Sequence, residues 1–143
     1  MSLFPPRSRR AWNYYFPGSN AKEYNTRQTP SALSDDCVYI LNSLFSCIKS
    51  ASNGGALYCT SNYLLVESST FISCNTSYRY GGAIYFYNLD GGQCVLHEVC
   101  GNDCCTTYAS DYSRGLFLYT VVRKDASSKN YVNYSSISRC GDG

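Results

Sequence analysis

Apolar positions in this chain of 143 residues fall in short runs and never in a long periodic stretch. Runs such as Tyr63-Leu64-Leu65-Val66 and Ala83-Ile84-Tyr85-Phe86-Tyr87 are rich in β-branched and aromatic residues and are bounded by Gly, Asn and Ser. That composition predicts strands closed by turns. No stretch of a dozen residues shows the three-and-four spacing of an amphipathic helix. Several runs keep apolar residues at consecutive rather than alternating positions, as expected where a parallel sheet is buried or partly covered.

The runs repeat. Leu44-Phe45-Ser46-Cys47 is followed by Gly54-Gly55-Ala56-Leu57-Tyr58, and Phe71-Ile72-Ser73-Cys74 by Gly81-Gly82-Ala83-Ile84-Tyr85, so both features return after 27 residues. A third copy is read at His97-Glu98-Val99-Cys100, followed after an insertion by Arg114-Gly115-Leu116-Phe117-Leu118-Tyr119. A fourth begins at Tyr131 and reaches Ile137-Ser138-Arg139-Cys140.

A period in the twenties built of strand-like runs is the sequence form of one coil of a solenoid. Coils stack at about 4.8 Å, so each turn must recur at the same corner. Gly54-Gly55 and Gly81-Gly82, with Gly115 in the third copy, permit positive φ and close backbone approach there, while Ala56 and Ala83 fit a narrow interior. The predicted fold class is all-β: a short right-handed parallel β-helix (β-solenoid) of three to four coils over residues 37–143. Residues 1–36, rich in Pro, Ser, Asn and Arg, show neither periodicity and are expected to form an irregular or partly disordered N-terminal arm or cap.

Gly-Gly-Ala followed by Leu or Ile, paired with Phe-x-x-Asn, is the repeat signature of the chlamydial polymorphic membrane proteins and of similar surface proteins of some protozoan parasites, and this sequence resembles it. Gly54-Gly55-Ala56-Leu57 and Gly81-Gly82-Ala83-Ile84 match the first element; Phe71-Ile72-Ser73-Cys74 matches the second with Cys in place of Asn, and Leu44-Phe45-Ser46-Cys47 matches it more loosely. The resemblance covers roughly residues 37–120. It implies a pectin-lyase-like right-handed parallel β-helix with an adhesive, surface-exposed role, at the cell surface or secreted. The chain departs from the family pattern at its start: Pro5-Pro6 and three arginines stand where a secretory leader would carry an apolar stretch of about 7 to 15 residues. A cytoplasmic location therefore stands beside the surface one.

Charge narrows the partners. Lys plus Arg number 12 and Asp plus Glu 10, a net charge of +2, too little to draw the chain onto nucleic acid by electrostatics. No apolar run approaches the roughly 18 residues of a membrane-spanning helix, so no membrane insertion by this chain is expected.

Nine cysteines are present. The repeat alignment puts Cys47, Cys74, Cys100 and Cys140 at one place in four coils, an inward-facing ladder. Stacked side chains would stand about 4.8 Å apart, beyond the roughly 3.5 to 4.5 Å between Cβ atoms that a disulfide requires, so buried free thiols are expected. Cys94, Cys100, Cys104 and Cys105 cluster near His97 but lack paired C-x2-C units, so neither a metal nor another cofactor is expected; reduced thiols are, with a disulfide between insertion and coil as the alternative if the chain is exported. His97 is the only histidine, and Asp35-Asp36, Asp90, Glu98, Asp103 and Asp111 have no mutual spacing that would converge carboxylates on one sugar bond.

Tyr58 and Tyr85, with Tyr119 in the third copy, are the candidate ligand-binding residues: aromatic faces in a row stack on sugar rings, or stabilise one another as a ladder. Asn75-Thr76-Ser77 and Asn133-Tyr134-Ser135 are glycosylation sequons. The expectation is a non-enzymatic binding or adhesion module, with a protein or glycan ligand and residues 101–113 as a variable inserted loop. Open solenoid ends are expected to drive self-association, or to mark a fragment of a longer solenoid. The alternatives are a carbohydrate-active enzyme, argued from fold alone, and an intracellular structural protein.

Overall fold

The computed structural model describes residues 7–24, 31–33, 36–108, 116–123, 125 and 127–140. Helix α1 (Arg7–Tyr15) comes first, followed by β1 (Lys22–Tyr24). From there the chain visits four sheets in a fixed order. β2 (Ser31–Leu33), β3 (Cys37–Leu41), β4 (Leu44–Ser46) and β5 (Lys49–Ser50) lie in sheets 1, 2, 3 and 4, respectively. β6 (Leu57–Cys59), β7 (Tyr63–Glu67), β8 (Thr70–Ile72) and β9 (Asn75–Thr76) pair beside them in the same order, and β10 (Ile84–Asn88), β11 (Gln93–His97), β12 (Cys100–Asn102) and β13 (Cys105–Thr106) beside those. β14 (Leu118–Val122), β15 (Asn130–Asn133) and β16 (Ser136–Ser138) add a further level to sheets 1, 2 and 3. Every pairing is parallel. The protein is all-β apart from its one described helix.

Local chemistry places the corners. Between sheets 2 and 3 the chain turns through Asn42, Ser68, Glu98 and Tyr134, and between sheets 3 and 4 through Cys47, Ser73, Asp103 and Arg139, all with φ between 47° and 55°. These residues still join the ladder: Ser68 N donates to His97 O at 3.0 Å, and Ser73 N to Asn102 O at 3.0 Å. Left-handed backbone at a residue with a side chain costs about 1 to 2 kcal/mol, so the stack must hold eight such positions against local preference. Between sheets 4 and 1 the corner belongs to glycine. Gly54 and Gly81 have φ of 75° and 67°, and a methyl group on Gly55 would meet Gly82 O at 2.0 Å. Backbone packs on backbone there, leaving no room for a side chain.

Two apolar clusters follow from strand alternation. Val38 and Ile40, Leu64 and Val66, and Leu96 point inward from sheet 2 to meet Leu57, Ile84 and Phe86 of sheet 1 and Phe45 and Phe71 of sheet 3, all essentially inaccessible to water. Each such side chain contributes about 1.5 to 3 kcal/mol of burial. Phe45 and Phe71 stack with ring centres 4.6 Å apart. On the outer face of sheet 2, Tyr39, Leu41, Leu65 and Val95 are covered by Trp12, Tyr15 and Phe16. Trp12 rests 5.6 Å from the Tyr39 ring and donates its indole N–H to Ser19 O at 3.1 Å. The strands β3, β7 and β11 of sheet 2 are thus buried on both faces, which is why each carries apolar residues at consecutive positions.

Within residues 1–36, expected to form an irregular arm or cap, the described residues include one helix and two strands. Helix α1 covers sheet 2, β1 extends that sheet beside β3, and β2 extends sheet 1 beside β6. An inserted loop does not begin at residue 101: Cys100–Asn102 and Cys105–Thr106 are strands in register with β8 and β9, and Gly115 lies outside the described residues. Among the described residues no helix is long and apolar enough to cross a membrane.

Candidate functional site

Sheet 1 carries a tyrosine face. Leu57 and Cys59, and Ile84 and Phe86, point to the interior, so alternation turns the intervening residues outward. Tyr58, Tyr85 and Tyr119 are in register on β6, β10 and β14. Tyr58 lies 5.0 Å from Tyr85 and Tyr119 lies 5.8 Å from it, centre to centre. Tyr80 and Tyr87 complete the group: Tyr80 stacks on Tyr119 at 4.6 Å, and Tyr87 runs parallel to Tyr85 at 6.4 Å. The sequence identified three of the five; Tyr87, two residues after Tyr85, had the alternation as its signal, whereas Tyr80 precedes the glycine corner and had none.

Burial of Tyr85, reinforced by the neighbouring phenols, holds its hydroxyl above the ordinary tyrosine pKa. It remains a neutral donor and acceptor at physiological pH. The face therefore offers ring edges and uncharged hydroxyls in a row, suited to contacts that are apolar and hydrogen-bonding together.

The cysteine ladder is differently composed. Register places Phe45 opposite Phe71 and Thr70 opposite Cys100, so Cys47 falls beside Ser73 rather than Cys74. Cys47 and Cys100 are exposed. The inward column runs through Ile48, Cys74, Cys104 and Cys140 instead: Cys104 N contacts Cys140 Sγ at 3.4 Å, and Cys74 and Cys104 share a thiol hydrogen bond that lowers the Cys74 pKa and raises that of Cys104. Burial pushes the Cys94 thiol well up. None of the nine cysteines is joined in a disulfide.

Other candidates are structurally engaged. Glu98 Oε2 and Asp103 Oδ2 accept hydrogen bonds from Ser68 Oγ and Ser73 Oγ, each at 3.0 Å, along the two corners. Asn75 Oδ1 accepts from Cys105 N at 3.1 Å, and Thr76 of the same sequon is fully buried. Among the described residues no three His, Cys, Asp or Glu side chains are grouped to hold a metal ion; Asp35 and Asp111 lie outside them. His97 Nδ1 lies 3.0 Å from Tyr15 Oη.

No family model matches the sequence, and no curated protein or solved structure matches it. The class is accordingly defined by the molecule itself: an all-β chain of parallel strands distributed over four sheets, with a face of five tyrosines on one of them.

Proposed function

We propose that the chain is a non-enzymatic binding or adhesion module built on a short right-handed parallel β-helix, with the tyrosine face of sheet 1 as its contact surface. Cyclic visiting of four parallel sheets supports the β-helix reading, and the right-handed rule for parallel crossovers supplies its hand. The resemblance of the Gly-Gly-Ala repeats to those of surface adhesins supports the role.

The observation that carries the function is the register of Tyr58, Tyr85 and Tyr119, with Tyr80 and Tyr87 alongside. Tyrosine supplies large amphipathic contact area with few rotatable bonds, and for that reason it recurs where proteins grip ligands. The test is retention on immobilised glycans and on intact cells, comparing the wild type with Tyr58→Ala, Tyr87→Ala and Tyr119→Ala singly and together. Loss of retention with an unchanged circular dichroism spectrum supports the assignment. Retention that survives the triple variant sinks it, and a polysaccharide shortened rather than bound moves the chain to the carbohydrate-active enzymes.

A further inference from the structure

A concavity of about 930 Å³ lies between α1 and the last strand of sheet 2. Tyr14 and Tyr15 form one wall; His97, Lys129, Asn133 and Tyr134 form much of the other. Its volume is in the upper part of the roughly 300 to 1,000 Å³ usual for ligand pockets.

A chain of hydrogen bonds sets which groups remain available. Asn133 Nδ2 donates to Tyr15 Oη at 3.2 Å. Tyr15 Oη also lies 3.0 Å from His97 Nδ1; where the hydroxyl donates to that nitrogen, the imidazole proton stands on Nε2. Glu98 Oε1 stands 3.9 Å from that nitrogen, outside hydrogen-bonding distance. In that arrangement the cleft has an imidazole N–H donor and an amide oxygen acceptor on Asn133. Lys129 Nζ donates to Tyr15 O, which fixes the ammonium at the wall and leaves two of its protons unspent. Tyr14 and Tyr134 stand at the rim, 77% and 85% exposed, with the Tyr134 ring edge-on to His97 at 5.4 Å.

We infer that this cleft binds an acidic sugar. Exposed aromatic rings beside a donor and an acceptor suit a ring with apolar C–H faces and peripheral hydroxyls. One ammonium, with no carboxylate among the lining residues, balances one negative charge, which favours a carboxylate over a phosphate. The site shares no residue with the tyrosine face of sheet 1, so either can fail without the other.

The deciding experiment is saturation-transfer NMR with methyl β-glucuronide and methyl β-glucoside, which share a ring and differ at the carboxylate. The full chain is expected to bind the glucuronide more tightly, and Lys129→Met to weaken it roughly tenfold, as for one lost charge-assisted hydrogen bond, bringing the pair level. Tyr14→Ala and Tyr134→Ala, at exposed positions, are expected to weaken both sugars, while Tyr78→Ala, exposed but on neither surface, leaves both unchanged. Failure of the glucuronide to bind, or equal binding of the two sugars by the wild type, overturns the inference. So does binding that is lost in Tyr119→Ala and kept in Tyr14→Ala, an outcome that moves the sugar to sheet 1.

Discussion

Phe117 fills the space beside Gly101, so closely that a methyl group on Gly101 would lie 2.4 Å from Phe117 Cε2. Along sheet 3 the positions in register run Phe45, Phe71, Gly101 and Ile137. The first two rings stack flat. At the next level the ring arrives from elsewhere in the chain: Phe117, just before β14, meets Phe71 edge-on at 5.6 Å. An aromatic column thus continues through a level whose own strand offers no side chain.

Gly101→Ala is therefore expected to destabilise the protein by about 1 to 3 kcal/mol, the usual cost of overpacking a filled core. Gly101 is not in the left-handed region, so the cost comes from space alone. Urea unfolding checks it, and Phe117→Leu in the same chain should recover part of the loss. An unchanged midpoint for Gly101→Ala would mean that Phe117 does not occupy this space.

The corner residues give a conformational test. Ser73 has φ of 50° and its side chain is at the surface, joined to Asp103. Ser73→Val should lower stability by about 1 to 2 kcal/mol, because a β-branched residue tolerates left-handed backbone poorly. Ser73→Gly should unfold at or above the wild-type temperature, since removing the side chain relieves that conformation. If both variants melt together, the corner is not left-handed.

Thiol chemistry separates the two faces of the strands. Cys47 and Cys100 are exposed, whereas Cys59, Cys74, Cys94 and Cys104 are buried. Brief treatment with iodoacetamide under native conditions is expected to label Cys47 and Cys100 first. The buried four should react only after denaturation, with burial also holding Cys94 protonated. Peptide mass mapping reads the order, and early labelling of Cys74 would contradict its inward position.

These cysteines also show how far the sequence could be read. Strand runs, parallel character and the glycine corner were legible because apolar runs and turn residues are local signals. Tyr58 and Tyr85 were correctly aligned because the 27-residue offset is the true spacing of β6 and β10, and Tyr119 because it follows Leu118 as Tyr85 follows Ile84. In sheet 3, by contrast, the ladder repeats after 26 residues, and the shared Ser-Cys dipeptide at 46–47 and 73–74 drew the alignment one residue off. Aligning Phe45 with Phe71 would have found it, and a slip of one residue turns every side chain to the opposite face. The next steps of 30 and 36 residues hid Cys104 behind Cys100. Helix α1 was missed because most of its packing is tertiary: Trp12 and Phe16 are held by sheet 2, not by helical periodicity.

Glu67 carries the pH prediction. It stands in register between Leu41 and His97 on sheet 2, and its Oε2 accepts the Tyr39 hydroxyl proton. Burial raises its pKa above the usual carboxylate value, more than the Tyr39 hydrogen bond and the neighbouring His97 imidazole bring it back. Because the folded pKa exceeds the unfolded one, the fold prefers the protonated acid. That contribution is complete below the unfolded pKa, near 4.3, and is lost as pH rises through the folded value. Tyr39 stays protonated throughout, its pKa pushed up by burial and by Glu67. Glu67→Gln keeps an acceptor for Tyr39 and does not titrate, so it should lack this loss. Its advantage over the wild type is expected to grow with pH above about 4.3 and level off once Glu67 is fully ionised. Urea midpoints for both proteins between about pH 4 and 8 measure that gap. A gap that shrinks with rising pH would show that the ionised carboxylate is the form the fold stabilises.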